Sequence, residues 1–193
     1  MSLKTYAIIT DVHGNSSSLK EAIKIINKRD DVDQIICLGD YFALGPDPMG
    51  CFKLLESLSS CVFLRGNHER YLIENLWAHE RPNLEGMSPD DPICKEIVQN
   101  EKWTAEMIGE KGRNFCNNTR IAERQIIDNT LVEFTHAWYQ RDEIPPTMDE
   151  AIAWKNHISK ANNKIKQFIF VHGHTHLPRI EEKGNLKILC QGA

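Results

Sequence analysis

The chain lacks the features that mark several large classes of protein. It has no run of about eighteen consecutive apolar residues, which a membrane-spanning helix would need. Its N-terminus also lacks the charged and then apolar pattern of a secretory signal, so we expect a cytoplasmic protein with no membrane partner. The 27 acidic residues outnumber the 23 basic ones, and a net charge of -4 gives no support to bulk nucleic-acid binding.

Closely spaced cysteine pairs are also missing, although the chain contains six cysteines. None of them forms a C-x-x-C pair, so nothing indicates a zinc ribbon or a thioredoxin-like redox site. Cys37 and Cys61 lie inside predicted strands, where cysteine behaves as a small apolar residue. We interpret the cysteines as reduced core thiols, which agrees with a cytoplasmic protein.

The length and composition predict one globular domain over residues 1–193. The chain is 41% apolar and 26% charged, which are ordinary values for a folded domain with its own core. Residues 71–118 differ from the rest because apolar residues recur there at helical spacing between scattered prolines. We interpret this stretch as a helical excursion that covers one sheet, and the alternative is a lid over the site.

Several predicted strands end in polar side chains that can bind metal. Four apolar residues over 35–38 precede Gly39 and Asp40, which is the pattern of a buried parallel strand and its end. Other predicted strands run into Asp11 and His13, into Asn67 and His68, into His136, and into His174 and His176. Because open α/β sheets place their sites along the carboxyl edge of the strands, we expect these groups to converge.

This combination of side chains predicts a hydrolytic site with two metal ions. Asp11 and His13 alternate along one strand ending and so face the same side, and the same holds for His174 and His176. A two-metal site needs a bridging carboxylate, since two cations must be held about 3.5–4 Å apart. We assign the bridging position to Asp40.

The order of the motifs resembles that of a known superfamily. The motifs follow one another as they do in the calcineurin-like metallophosphoesterases, in the order D-x-H, G-D, G-N-H-E, a single His and G-H-T-H. The resemblance covers residues 4–182, and G-P-D-P after Asp40 together with G-H-T-H-L-P is similar to the YfcE-like phosphodiesterase branch. It implies an α/β fold in which two mixed β-sheets form a sandwich with helices on the outer faces.

The resemblance also implies a cofactor and a role for each group. Two divalent ions are implied, of which Mn is favoured and Fe, Zn, Co or Ni would also suit nitrogen and oxygen donors. The implied ligands of the first ion are Asp11, His13, Asp40 and His176. Those of the second ion are Asp40, Asn67, His136 and His174. His68 matches the catalytic histidine of the superfamily, and Glu69 either orients His68 or caps a helix.

The implied reaction is phosphodiester hydrolysis, in which a hydroxide that bridges the metals attacks phosphorus. The loop Tyr41–Leu44 has no arginine to bind a dianionic phosphate, so a phosphoprotein or diadenosine polyphosphate phosphatase is the less favoured alternative. A non-catalytic interaction scaffold of the same fold is another alternative, and the complete ligand set with His68 favours the enzyme. Trp138 and Tyr139 after His136 predict an aromatic substrate wall.

The end of the chain differs from that of the similar proteins. Relatives continue beyond the position of residues 191–193 with further strands, so the C-terminus looks truncated. We therefore expect a bare sheet edge and an apolar face around residues 180–193. A homodimer is the expected way to cover them.

Overall fold

A computed structural model describes residues 4–82, 84 and 86–192. The described residues form, in order, the elements β1 (Tyr6–Ile9), α1 (Ser16–Ile26), β2 (Gln34–Cys37), α2 (Pro48–Glu56), β3 (Cys61–Phe63), α3 (Asn67–Glu74), a 3₁₀ turn (Leu76–Ala78), α4 (Pro92–Asn117), β4 (Ala122–Ile127), β5 (Thr130–Thr135), α5 (Met148–Ala161), β6 (Gln167–His172), β7 (Pro178–Lys183) and β8 (Leu186–Gln191).

The strands form two sheets, which confirms the predicted α/β fold class. The first sheet has the order β1-β2-β3, and both of its pairings are parallel. The second has the order β4-β5-β6-β8-β7, with β5, β6 and β8 parallel and the hairpin partners β4 and β7 antiparallel at the two edges. In the described part of the chain, therefore, only the larger sheet is mixed. Hairpin turns join β4 to β5 at Asp128-Asn129 and β7 to β8 at Lys183-Gly184-Asn185, where turn-forming residues separate two strand patterns in the sequence.

The two sheets pack face to face, and helices cover their outer faces. Alternation along β2 shows this, since Ile36 packs between the sheets while Ile35 and Cys37 pack toward the helices. The core between the sheets joins residues of β2 to Val132, Phe134 and Val171 of the second sheet. Helices α1, α2 and α4 cover the first sheet, and α5 covers the second.

The sequence predicts helix starts at Ser18 with Glu21, at Asp47 or Pro48, and at Thr147 with Glu150, and two of these three are present. The Asp47 side chain accepts the backbone N–H of Gly50 and Pro48 opens α2, while Thr147 and Glu150 form the predicted capping box of α5. The predicted box of Ser18 with Glu21 is wrong. Asn15 caps α1 instead, because its side chain accepts the N–H of Ser18 and starts the helix three residues earlier than Leu19.

The helical excursion is part of the domain core. Helix α4 packs on α3 and α2 and contributes Ala105, Ile108 and Cys116 to the core beneath the first sheet. This agrees with the simpler prediction that the excursion covers a sheet. Gly109 interrupts α4 with φ 59° and ψ -163°, so the two halves of the helix meet at a kink.

Two further sequence predictions can be compared with the fold. All six cysteines are free, and five of them are buried. Among the described residues, no helix is both long enough and apolar enough to cross a bilayer.

Candidate metal centre

All the residues predicted as metal ligands lie at the carboxyl ends of strands. Asp11 and His13 follow β1, and Asp40 follows β2. Asn67 is the first residue of α3 and comes four residues after the end of β3, and His136 follows β5. His174 and His176 follow β6. Because the sheets pack face to face, these endings lie at one rim of the sandwich, and their side chains meet there.

One half of the centre is formed by the endings of β1 and β6. His13 Nε2 lies 3.0 Å from His176 Nε2, and His176 Nε2 lies 3.4 Å from Asp11 Oδ1. The other ring nitrogen of His13 lies 3.3 Å from the carbonyl oxygen of Ala43, which fixes the ring so that Nε2 faces the centre. Asp11 is held in turn, since its carboxylate accepts the Thr10 hydroxyl and the backbone N–H of His174.

The other half combines Asn67, His136 and His174. Asn67 Oδ1 lies 3.0 Å from His136 Nε2 and 3.2 Å from His174 Nδ1. His136 Nδ1 lies 3.2 Å from the carbonyl oxygen of Leu38, so this ring too is oriented from behind by the backbone. The structure therefore groups His174 with His136, and His176 with His13.

Asp40 lies between the two halves. Its Oδ2 atom is 3.2 Å from His136 Nε2 and 3.8 Å from His13 Nε2. Its other oxygen accepts the backbone N–H of His68 at 3.1 Å. Asp40 is 2% exposed, so the carboxylate is fixed in this position.

The backbone is strained at the centre. Five of the seven predicted ligands have positive φ, namely Asp11 (51°), His13 (45°), Asp40 (57°), His174 (67°) and His176 (56°). The left-handed conformation costs a residue with a side chain roughly 1–2 kcal/mol. Strain of this kind persists where the surrounding structure imposes it and clusters at functional sites.

Two glycines allow the strand endings to approach closely. A Cβ on Gly66 would lie 2.1 Å from Asp40 Oδ1, and a Cβ on Gly39 would lie 2.4 Å from the nitrogen of Gly66. Gly39 also has φ +121°, which disfavours any residue with a side chain. The G-D and G-N-H motifs therefore need glycine so that Asp40 and Asn67 can meet.

The charges of the centre depend on one another. Burial opposes ionisation of Asp40, but the surrounding histidines, of which His136 acts most strongly, hold the pKa of its carboxyl well below its usual range. Burial lowers the pKa of His136, but the charge and hydrogen bond of Asp40, together with the charges of Asp11 and Glu69, outweigh burial and raise this pKa to about 9. Burial is also the main cause that lowers the pKa of His13 and of His174.

Glu69 braces the backbone of the centre. Its carboxylate accepts the N–H groups of Gly66, Asp40 and Tyr41 at 2.7–2.9 Å. Burial and the nearby Asp40 charge raise the pKa of Glu69 to about 7. Of the two predicted roles for Glu69, this geometry supports the capping role, because the three hydrogen bonds tie the start of α3 to the loop after β2.

His68 is contacted by a residue that the sequence analysis did not identify. Its Nδ1 forms a hydrogen bond with Glu101 of α4, and both side chains are buried. The His68 ring lies 5.1 Å from the His13 ring, measured between centroids, beside the first half of the centre. A signal was present in the sequence, since Glu101 falls on the otherwise apolar stripe of Ile97, Ala105 and Ile108.

A second set of residues missed from the sequence supports Asn67. The Tyr71 hydroxyl forms side-chain hydrogen bonds with Asn67 and with Glu143. Arg70 holds the same loop, with its Nε and Nη2 atoms 2.8–2.9 Å from the carboxylate of Asp142 and a further contact to Glu143. The backbone of Glu143 also hydrogen-bonds the His174 ring. The loop after His136 thus links Asn67 to His174.

Other residues named from the sequence lie away from the centre. Trp138 and Tyr139 pack on Phe170 in the core beneath α5, so the predicted aromatic substrate wall is not formed by them. His79 and His157 are exposed. His172 is fully buried with its Nδ1 2.9 Å from the Gly173 carbonyl oxygen, which agrees with a structural role.

The donors present fit divalent cations. Carboxylate, imidazole and amide groups approach one another with their donor atoms facing inward, and three groups of Asp and His have ligand atoms within 4.8 Å of one another. Two imidazole nitrogens 3.0 Å apart need a proton or a cation between them, as at His13 and His176. Neutral imidazole and carboxylate are suitable ligands for Mn, Fe and Zn.

Known proteins resemble this chain over parts of the sequence and over the fold. A segment of 66 residues is 35% identical to a symmetrical bis(5'-nucleosyl)-tetraphosphatase from Coxiella burnetii and covers 34% of this chain but only 23% of that protein. A hypothetical protein from Pyrococcus horikoshii has a similar structure, with a TM-score of 0.72, 16% identity and coverage of 99% of this chain and 77% of that one. YfcE, a phosphoesterase from E. coli, aligns with a TM-score of 0.51 and 16% identity over 97% of this chain and 79% of its own.

A family model covers nearly all the described residues. The model of the calcineurin-like phosphoesterases matches residues 4–192, a range that includes every motif discussed above. This confirms the superfamily that the order of the motifs predicted, and YfcE is among the proteins that share the fold. The chain belongs to the calcineurin-like phosphoesterase family.

Proposed function

We propose that this protein is a phosphoesterase with two metal ions and that it acts on phosphodiesters. The observation that carries the proposal is the position of Asp40, whose Oδ2 atom faces His136 at 3.2 Å on one side and His13 at 3.8 Å on the other. A carboxylate held between two sets of nitrogen and oxygen donors is the arrangement that a two-metal hydrolase needs.

The seven proposed ligands form two sets, one for each ion, and the sets share Asp40. One ion would be held by Asp11, His13, Asp40 and His176, and the other by Asp40, Asn67, His136 and His174. When bound, such ions lower the pKa of a shared water and neutralise the phosphoryl oxygens. Mn is the favoured ion, since the donor set is mixed nitrogen and oxygen and contains no thiolate.

His68 serves as the proton donor to the leaving group. Its Nδ1 is bound to Glu101, which leaves Nε2 as the nitrogen available to the substrate. As the bond between phosphorus and the leaving oxygen breaks, the proton on Nε2 passes to that oxygen. Such a transfer accelerates reactions typically by about 10²–10⁴-fold, and it matters most for alkoxides, which leave poorly when unprotonated.

The loop after Asp40 favours substrates with a single negative charge. Tyr41, Phe42 and Ala43 are fully buried, and Leu44 is the exposed residue of this loop. Of the arginines near the centre in sequence, Arg70 is bound to Asp142 and Glu143, and Arg65 reaches the carbonyl of Thr119. A phosphodiester needs less charge compensation than a dianionic monoester, so this site suits the diester better.

A nucleoside polyphosphate hydrolase is the second candidate. It is favoured by the 66-residue segment that is 35% identical to a symmetrical bis(5'-nucleosyl)-tetraphosphatase, although that segment covers only 23% of the relative. The missing arginine in Tyr41–Leu44 argues against it. A non-catalytic scaffold of the same fold remains a separate alternative, and the ligand set with His68 in place favours catalysis.

The proposal is tested by metal analysis and a matched panel of substrates. The purified protein is loaded with Mn, Fe or Zn, dialysed, and analysed for metal per chain. The value of kcat/KM is then measured for bis-p-nitrophenyl phosphate, p-nitrophenyl phosphate and diadenosine tetraphosphate at one metal concentration. We expect two ions per chain and the highest kcat/KM for the diester.

Each of the other outcomes points to a different candidate. A clear preference for diadenosine tetraphosphate establishes the second candidate, and a preference for the monoester establishes a phosphatase. Two bound ions with no turnover on any of the three substrates, or no bound metal at all, supports the scaffold.

A further inference from the structure

Helix α4 contributes a charged residue to the floor of the centre. Glu101 is fully buried, although it lies in the middle of a helix whose neighbouring buried positions are Thr104, Ala105 and Ile108. The side chain reaches His68, 33 residues earlier in the chain, and forms a hydrogen bond with its Nδ1. The excursion therefore supplies part of the catalytic surroundings as well as covering the first sheet.

The burial of Glu101 is costly and is only partly compensated. One of its oxygens is bound to His68, whereas its Oε2 atom has no hydrogen-bond partner. Burial raises the pKa of Glu101, and the hydrogen bond to His68 opposes that shift. Burying a carboxylate with so little support destabilises a fold, and replacing both members of such a buried pair by apolar residues of similar volume is often neutral or stabilising. A contribution to stability therefore does not explain why a glutamate is present.

We propose that Glu101 is the positioning residue of His68. Glu101 accepts the hydrogen bond from Nδ1–H, which fixes the orientation of the ring, and its negative charge stabilises the doubly protonated imidazolium, whose Nε2–H group is thereby presented to the leaving oxygen of the substrate. This inference rests on the proposed phosphoesterase activity. Glu101 itself touches neither the substrate nor the metal ligands, and it acts only through His68.

The same turn of α4 also holds the loop that follows Asp40. The side-chain oxygen of Asn100 accepts the backbone N–H of Leu44 at 2.6 Å. Leu44 has φ 74°, and the preceding residue, Ala43, provides the carbonyl that orients His13. Asn100 and Glu101 are adjacent on the helix, so one turn of α4 supports two different histidines of the centre.

The test is a double-mutant cycle between Glu101 and His68. The variants are Glu101→Leu, His68→Asn and the double variant, and each is assayed on an alkyl phosphodiester, whose leaving group needs a proton. We expect Glu101→Leu to lower kcat by about 10–100-fold with little change in KM, as is typical when the partner that orients a functional group is lost. In the His68→Asn background, the same change should lower kcat by less than about twofold, because residues that act as one unit are not additive.

The conservative variant and a control distinguish positioning from folding. Glu101→Gln retains an oxygen that can accept the Nδ1–H bond, so it should recover most of the kcat that Glu101→Leu loses. Thr119→Val removes a buried hydroxyl that bonds to the carbonyl of Cys116 at the end of the same helix, and it should leave kcat unchanged. Thermal unfolding is measured for every variant and kcat is determined below the transition, since Glu101→Leu leaves the Nδ1–H group of His68 without an acceptor and should unfold at a lower temperature than the wild type. Additive losses in the cycle, or an equal loss in Thr119→Val, would overturn the inference.

A measurement without substrate separates this inference from the proposed function. In ¹⁵N-labelled protein, the Nδ1 proton of His68 should give a downfield, slowly exchanging resonance that disappears in Glu101→Leu and persists in Thr119→Val. If this resonance behaves as expected and no phosphoester is hydrolysed, the proposed function fails while the pairing stands. If phosphoesters are hydrolysed and Glu101→Leu alters neither the resonance nor kcat, the pairing fails alone.

Discussion

Asp40 combines a chemical and a structural contact in one side chain. Oδ2 faces both histidine groups, while Oδ1 accepts the N–H of His68 at the start of α3. The residue before it must be glycine for the loops to fit, and its own φ of 57° is strained. The fold therefore concentrates its backbone strain and its closest packing around the residue that we assign to both ions.

The first prediction concerns Asp40→Asn. The substitution keeps the size of the side chain but removes the negative charge that would separate two cations, so both ions should bind more weakly. We expect fewer than two ions per chain and a larger loss of kcat than in His176→Ala, which removes a half-exposed ligand of one ion only. Metal analysis and kcat are measured in parallel. Two tightly bound ions with near-normal turnover would show that Asp40 is not a bridge.

The second prediction concerns the leaving group and His68. The variant His68→Asn should retain the metal ions and lose roughly 10²–10⁴-fold in kcat on an alkyl phosphodiester, because the alkoxide then leaves without a proton. The loss on a nitrophenyl diester should be much smaller, since nitrophenolate leaves without protonation. Equal losses on both substrates would indicate instead that His68 stabilises negative charge on the phosphoryl group.

The third prediction concerns the support of Asn67 by Tyr71. The hydroxyl of Tyr71 contacts both Asn67 and Glu143, which keeps the amide oxygen of Asn67 directed toward His136 and His174. Tyr71→Phe should lower the affinity for the second ion by about 10–100-fold, the usual effect of losing such a partner. Tyr6→Phe is the matched control, because the buried hydroxyl of Tyr6 has no hydrogen-bond partner. Equal metal affinities in the two variants would contradict this role.

At the scale of elements, the sequence predicts what neighbouring residues determine. The strands β1, β2 and β6 follow from short apolar runs, and the caps at Asp47 and Thr147 follow from their local hydrogen-bonding groups. The start of α1 was predicted at the wrong residue because Ser18 and Asn15 both offer a side-chain acceptor. The local sequence pattern does not show which of the two caps the helix. The ligands were found in the same way, since each follows a strand.

The roles of Glu101 and Tyr71 could not be predicted from local pattern. Glu101 lies 33 residues from its partner His68 in the sequence. Arg70, the neighbour of Tyr71, lies 72 residues from its partner Asp142. Which carboxylate reaches His68 depends on how α4 packs on α3, and this is set by the whole core. The aromatic wall at Trp138 was wrong for the same reason, because packing on Phe170 outweighed its position next to His136 in sequence.

The fourth prediction concerns the kink of α4. Gly109 has φ 59° and no atom within 4 Å of the position where a Cβ would be, so Gly109→Ala causes backbone strain and no clash. We expect it to destabilise the protein by about 1–3 kcal/mol, the cost of holding alanine at φ 59° and ψ -163°, a conformation that is essentially restricted to glycine. It should also lower kcat, because the half of α4 that precedes the kink carries Asn100 and Glu101.

A second glycine provides the control for this change. Gly184 has φ 62° and equally open surroundings, but it lies in the hairpin turn between β7 and β8. Gly184→Ala should destabilise the protein by a similar amount and leave kcat unchanged. Thermal unfolding and kcat of both variants are compared. If the two variants lose activity equally, α4 has no specific link to the centre.

At the scale of the whole molecule, the sandwich is open at one edge, where β1 ends the first sheet. An apolar cavity of about 660 Å³ lies between the sheets, next to the free edge of β1. Its lining includes Tyr6 and Ile8 of β1 together with Ile169, Ile180 and Leu189 of the second sheet. One polar contact crosses the edge here, where the Gln191 side chain donates to the carbonyl of Ile8 at 3.2 Å.

The strand β7 borders this cavity but is itself a poor edge for pairing. Its residues 181–183 are charged, and charged side chains on an edge strand discourage pairing with another chain. Leu186 and Ile188 of β8, which the sequence suggested as part of a bare face, are buried with Phe168 beneath α5. The apolar surface near the end of the chain is therefore the cavity bordered by Ile180, rather than the outer face of β8.

The fifth prediction follows from this open side. Large exposed apolar surfaces tend to be covered by association, and a two-fold dimer is the commonest way for identical chains to do so. We expect the protein to dimerise through the cavity beside β1. Ile180→Lys should shift the equilibrium to the monomer, because Ile180 is 75% exposed at the cavity and its replacement requires no change in the core. Ile25→Lys is the control, since Ile25 is 63% exposed on α1 and is not part of the cavity. Sedimentation equilibrium over a range of concentrations measures the association. A monomeric wild type, or an equal effect of both lysines, would show that the cavity is not a contact between copies of this chain.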